Sequence, residues 1–263
     1  MRGTKPSITA RHVALTRATL SRPVIPTGDA DAEARLYRSL GSSPWPRSLD
    51  WSRRLQRRTA FFDDETLGAI HRGTTQIVIV AAGYDGRALR FATPAVRWWE
   101  VDHPATQADK RRRLADAGIQ APSITFVPVD LTRDDLVASL ADAGHDPALP
   151  SLFVVEGLLG YLPRDVSAGL LSSTRAVAAE GSRLAVAFPI VPHDLSISET
   201  IALRVRETAV ATVGEPRLDR FGPEEPDQLL EAAGWKVSKS DRVPGGLARY
   251  EGRQGVLVAA EPA

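Results

Sequence analysis

The chain has 263 residues, enough for one large α/β domain with a substantial buried core. Its 33 basic and 32 acidic side chains nearly cancel, which argues against a protein held on nucleic acid by phosphate neutralisation. The absence of cysteine excludes disulfides and thiolate metal sites, and no apolar run is long enough to span a bilayer. The first twenty residues lack the apolar core of a signal peptide, so a cytoplasmic protein is the expectation.

Residues 1–70 carry helix-like pieces separated by breakers and are expected to form a helical N-terminal lid. "GDADAEARLYRSLG" opens on an acid-rich turn and stops at glycine, as helices do. "SSPWPRS" is a turn-rich link, because each proline biases its predecessor away from helix. The stretch 49–73 reads as a long helix.

From residue 75 the pattern becomes an alternation. Apolar strands are predicted at about 76–81, 96–101, 123–128, 151–155 and 183–188, with helices at about 86–92, 104–117, 131–142 and 163–179. Strands that are apolar throughout are buried on both faces, which demands helices on both sides of a largely parallel sheet. The expected fold is therefore α/β: a doubly wound, Rossmann-like sheet over residues 71–263. A helix is inserted at about 190–222, another covers "EEPDQLLEAAG", and two strands close the chain, the last of them antiparallel. The tail "AEPA" is expected to fray.

Ligands of an open parallel sheet bind outside the carboxyl ends of the strands. The first strand ends in Ala81, Ala82 and Gly83, and "AAGYDG" alone is a weak signal. Stronger is the series of acids at successive strand ends: Asp102 in "WWEVDHP", Asp130 before Leu131 in "VPVDL", and Glu156 in "FVVEGLLGYLP". Singly, Asp130 reads as a helix N-cap and Asp102 as a polar strand end. Together they suit a nucleoside bearing hydroxyl, amino and cationic groups, and S-adenosylmethionine (SAM) has all of these.

These segments resemble the leucine carboxyl methyltransferase-type family of SAM-dependent methyltransferases, including its bacterial members. The resemblance runs in order through Arg58-Thr59, "AAGYDGR" (81–87), "EVDHPATQADKRRRL" (100–114), "VPVDL" (127–131) and "EGLLGYLP" (156–163), covering roughly residues 55–190. It implies a class I methyltransferase sheet and SAM as cofactor. It places Gly83 against the amino-acid part of SAM and Asp102 on the ribose. Asp130 and Leu131 would flank the adenine, Glu156 would face the amino group, and Arg58 would bind the carboxylate. The chain departs from the family loop at Ala81, where the family has glycine, and at Gly86, where it has threonine.

Methyl transfer requires alignment more than acid–base chemistry, and a carboxylate acceptor is already ionised at neutral pH. A small-molecule or peptide carboxylate is the expected acceptor, a hydroxyl the less expected one. Tyr161 and His193 are the candidate acceptor-side residues. His103 reads as a local hydrogen-bonding residue, and Arg204 and Arg206 as a solvated helix face. "KRRR" at 110–113 spreads around its helix and reads as mostly solvated surface, not a nucleic-acid stripe. The five histidines show no paired ligand spacing, so no metal is expected. Two alternatives stay open. One is an NAD-binding oxidoreductase, since Ala81-x-Gly83-x-x-Gly86 with Asp102 mimics its fingerprint. The other is a non-catalytic SAM-fold binding protein.

Overall fold

The structure is a computed structural model that describes residues 5–43, 45, 49–190, 214–240 and 256–263, with isolated positions between 198 and 212. His193, Arg206 and about half of the proposed insertion lie outside the described residues.

Seven strands form one sheet: β1 (Gln76–Val80), β2 (Arg97–Asp102), β3 (Ile124–Pro128), β4 (Ser151–Val155), β5 (Arg183–Phe188), β6 (Trp235–Ser240) and β7 (Val256–Pro262). Their spatial order is β3-β2-β1-β4-β5-β7-β6. The first five are parallel, and β7 runs antiparallel to both β5 and β6. Strand order reverses between β1 and β4, which opens a crevice at their carboxyl ends.

Alternation along each strand divides the core into two layers. Val78, Val80, Trp99, Val101, Phe153 and Val155 face one side, against helices α6 (Leu136–Asp142), α7 (Arg164–Ala176) and α8 (Glu225–Ala232). Ile77, Ile79, Trp98, Leu152 and Val154 face the other, where α1 (Ile8–Arg17), α2 (Ala30–Ser39), α3 (Leu49–His71) and α5 (Pro104–Asp116) share the core. The N-terminal helices thus supply one of the two layers that cover the sheet. Among the described residues, no helix is long and apolar enough to cross a membrane.

Three sequence expectations change. The helix expected from 131 begins only at Leu136, capped by Asp135, because Asp130 accepts from the Thr132 backbone N–H and hydroxyl and holds 130–135 in a turn. The tail does not fray up to Pro262, because Pro262 and Glu261 pair with Trp235 and Lys236. Residues 214–220 form an extended strap rather than helix. Leu218 N–H donates to the Gly160 carbonyl at 2.8 Å, and Arg164 pairs with Asp219 at 2.5 Å.

A chain of buried ion pairs ties the N-terminal helices to the sheet. Arg22 pairs with Glu33, Glu33 with Arg90, Arg90 with Asp63, and Asp63 with Arg87 at 2.6–3.1 Å. Arg87 then reaches Asp85 and Glu156, and Glu156 also takes Arg17 and Arg58. Helix α4 (Arg87–Arg90) is only one turn long, yet it places two of these arginines in the interior. Removing one partner from such a network leaves a charge buried without compensation. Asp63→Ala, which strips a carboxylate from both Arg87 and Arg90, is expected to lower unfolding stability by about 3–5 kcal/mol. Urea unfolding followed by circular dichroism measures this, and a loss under about 1 kcal/mol would contradict it.

Candidate active site

A cavity of about 610 Å³ opens at the carboxyl ends of β1–β5, under α1, α3 and the strap. That volume lies in the range of pre-formed small-molecule sites. Arg58, Ala81, Gly83, Asp102, His103, Asp130, Leu131, Glu156 and Tyr161 all line it. They come from the ends of β1, β2, β3 and β4 and from α3, so the parallel register brings strand ends as distant in sequence as Ala81 and Glu156 onto one wall, and α3 adds Arg58.

The loop after β1 is built from left-handed backbone. Gly83 has φ 53°, and Ala81 has φ 54°, the one non-glycine residue at positive φ among the described residues. A Cβ on Gly83 would stand 2.9 Å from the Ala10 Cβ, so this glycine is required by the approach of α1. A Cβ on Gly86 would overlap the Glu33 carboxylate. The glycine that replaces the family threonine is therefore what admits Glu33 to Arg90.

Asp102 closes this loop. One carboxylate oxygen accepts from the Gly83 N–H and the other from the His103 N–H, the latter at 2.6 Å. Burial nevertheless dominates and pushes the Asp102 carboxyl up to about 6, against the opposing pull of those two backbone donors. His103 caps α5, its ring nitrogen Nδ1 accepting from Ala105 N–H, in keeping with a local role.

Glu156 sits in a different environment. Arg58 Nε donates to it at 2.7 Å, Arg87 at 2.9 Å, and Arg17 also pairs with it. Burial alone would raise its pKa, but Arg17, Arg87 and Arg58 outweigh that and hold it at about 2. The three strand-end carboxylates expected to meet one cationic nucleoside do line the cavity, but the charge of Glu156 is already matched by arginines. In the whole network five arginines meet four carboxylates, and Arg17 and Arg58, both cavity-lining, stand at its Glu156 end.

Arg17, Glu33, Asp63, Glu215 and Arg217 sit in no local motif that marks them in the sequence. Glu215, in the strap, accepts from Ile8 N–H at 2.8 Å and Thr9 N–H at 3.3 Å, and so fastens the strap to the start of α1. Lys110 corrects the view of 110–113 as mostly solvated. It is 1% exposed and bonds Glu100 at 2.6 Å and the Asp85 carbonyl, while Arg112 and Arg113 pair with Asp109. Arg204 is exposed. Among the described residues there is no group of three or more side chains able to hold a metal ion.

The family model described as leucine carboxyl methyltransferase matches residues 14–175. A relative from Saccharopolyspora erythraea, named among the S-adenosyl-L-methionine-dependent methyltransferases, is 35% identical over 184 residues, 69% of this chain and 63% of its own. One from Mycolicibacterium smegmatis with the same designation is 34% identical over 220 residues, 76% of this chain and 71% of its own. The chain thus spans somewhat less than two thirds of the first of these relatives. A solved structure from Thermobifida fusca, described as a methyltransferase, superposes with a TM-score of 0.63 at 16% identity, covering 99% of this chain and 96% of its own. A duf574 family protein from Streptomyces avermitilis gives 0.62 at 14% identity, with 98% of each chain covered. At these identities the two structures speak to the fold alone.

Two outcomes follow from the site geometry. Left-handed backbone costs a non-glycine residue about 1–2 kcal/mol, partly offset by the extra unfolded-state entropy of glycine. Ala81→Gly should therefore raise stability by roughly 0.5–1 kcal/mol in urea unfolding, and a loss above about 1 kcal/mol would refute the strain. Asp102 has a folded pKa above its unfolded value of 3.8, so the folded state holds the proton more tightly. Its stability contribution is full below about pH 3.8 and is lost as pH rises through about 6. Asp102→Asn cannot titrate, so from pH 4 to 7 it should gain stability relative to the parent by about 2 kcal/mol. A difference that stays flat across that window would overturn the assignment.

Proposed function

Because the chain belongs to the leucine carboxyl methyltransferase family, we propose that it binds SAM in this cavity and transfers its methyl group to an oxygen of the acceptor, a carboxylate before a hydroxyl. The observation that carries the reading is the convergence of Gly83, Asp102, Asp130, Glu156 and Arg58 on one cavity at the switch point of the sheet.

The residues fit the group on chemical grounds. The surplus guanidinium of the buried network, at Arg17 and Arg58, offers a bidentate partner to the SAM carboxylate. Asp102 is an acceptor for ribose hydroxyls, and its elevated pKa leaves that acceptor half ionised at about pH 6 and mostly ionised only above it. Leu131 supplies apolar contact and Asp130 a polar edge for the adenine. When bound, SAM supplies a methyl group already activated on a sulfonium. The protein's own share is then to orient an acceptor oxygen and exclude water, which α1, α3 and the strap are positioned to do. An ionised carboxylate needs no general base, so Tyr161 acts in this reading as an orienting hydroxyl.

A dinucleotide fits less well. The short α4 would have to present free N-terminal amides to a pyrophosphate. Instead the Arg87 N–H donates to Asp85 at 2.7 Å, and the Asp85 carboxylate stands in the cavity wall.

Thermal-shift measurements with SAM, S-adenosylhomocysteine and NAD test the reading. The first two should raise the melting temperature and NAD should not; a shift with NAD alone would reverse the choice. By calorimetry, Asp102→Ala should weaken SAM binding by about tenfold or more, the size of a lost hydrogen bond to a charged group, and His103→Ala by less. Equal affinities for the two variants would remove Asp102 from the ribose.

A further inference from the structure

The cavity extends well beyond the residues assigned to the cofactor. Along α3, Trp51, Arg54, Leu55 and Arg58 recur at helical spacing, and all line it. Arg58 marks the Glu156 end, and Trp51 lies seven residues away, about 10 Å along the helix axis. At that outer end the wall is aromatic. The His12 ring is stacked on Trp51 with centroids 5.6 Å apart, and Trp45 meets His12 edge-on at 5.3 Å. The other three tryptophans, Trp98, Trp99 and Trp235, are fully buried in the core. Trp45 and Trp51 are half-buried, and both line the cavity.

The strap and the 3₁₀ turn Leu159–Tyr161 line the same cavity. Arg217 lines the cavity from the strap, its guanidinium 6.0 Å from the centre of the Tyr161 ring. Among the described residues Arg217 makes no ion pair, and the nearby Glu215 carboxylate is turned to the amides of α1. The outer chamber therefore combines flat π surfaces with the Arg217 guanidinium and the Tyr161 phenol, Arg54 also standing on its α3 wall, and the charge Arg217 offers is positive.

We propose that this chamber takes a planar aromatic carboxylate, its ring against the His12–Trp45–Trp51 cluster and its carboxylate toward Arg217 and Tyr161. Aromatic rings prefer offset or edge-to-face contact with such a cluster, and guanidinium pairs with carboxylate through two parallel N–H bonds. The assignment rests on the methyl-transfer reading and names the class of acceptor within it. No base is required, since the acid arrives ionised.

The test is calorimetry on the full chain with four probes, in the presence and absence of S-adenosylhomocysteine: 2-naphthoate, its saturated decahydro analogue, naphthalene-2-carboxamide and 2-(aminomethyl)naphthalene. 2-Naphthoate should bind about tenfold or more tightly than each of the others. Trp51→Leu should reduce naphthoate affinity about fivefold or more while leaving the saturated acid and S-adenosylhomocysteine unchanged. Arg217→Gln should bring naphthoate down to the affinity of its carboxamide. Equal binding of all four probes, preference for the amine, or an equal loss of both acids in Trp51→Leu would overturn the proposal, the last by reducing the cluster to packing. Naphthoate binding without S-adenosylhomocysteine binding would uphold the chamber and remove the methyl-transfer reading. S-adenosylhomocysteine binding without any probe binding would do the reverse.

Discussion

The buried chain of ion pairs from Arg22 to Arg58 is the constraint on which the architecture of the site depends. It passes through α2, α3, α4, the loop after β1 and the end of β4, and it reaches α1 through Arg17. Guanidinium groups this deeply buried are tolerated only where carboxylates and carbonyls meet their donors. The partners are therefore fixed in number and direction, and so are the helices that carry them. One consequence is local: the loop has glycine at 86 because a larger residue would displace Glu33 from Arg90. Another is electrostatic, because the network ends on the cavity with more guanidinium than carboxylate.

The two carboxylates that dominate the cavity illustrate how environment separates like groups. Asp102 is bonded by two backbone amides and no cation, and burial raises its pKa. Glu156, equally deep, is lowered by three arginines. The first is a proton-sensitive acceptor suited to neutral hydroxyls, and the second, tied to three arginines, stays ionised well below neutral pH. Strand position alone would have given them the same character.

The cover over the site is likewise one physical object made from distant segments. The strap at 215–218 holds the start of α1 through Glu215 and the 3₁₀ turn through Leu218, while α1 rests on Gly83 through Ala10. The space between sheet and cover runs about 10 Å along α3, from Arg58 beside the paired Glu156 to Trp51 in the aromatic cluster. That span is what makes separate cofactor and acceptor compartments a physical reading of the cavity.

The sequence by itself determined the sheet and its active edge. Runs such as "QIVIV" and "SLFVV" are buried on both faces, so a doubly covered parallel sheet was legible, and with it the strand ends at Ala81, Asp102, Asp130 and Glu156. Period and punctuation are local properties, and local physics is written in neighbouring residues. Only the tertiary structure decided which side chains meet across the chain. Arg17 is an ordinary helix-ending arginine until it touches Glu156, 139 residues on, and Arg217 an ordinary loop residue until it stands over Tyr161. It also decided charge state, matching Glu156 with arginines and leaving Asp102 without a cation, and it placed Lys110 in the interior of a run that reads as solvated. Pairing and desolvation arise from packing between distant segments, and no spacing within a single segment encodes them.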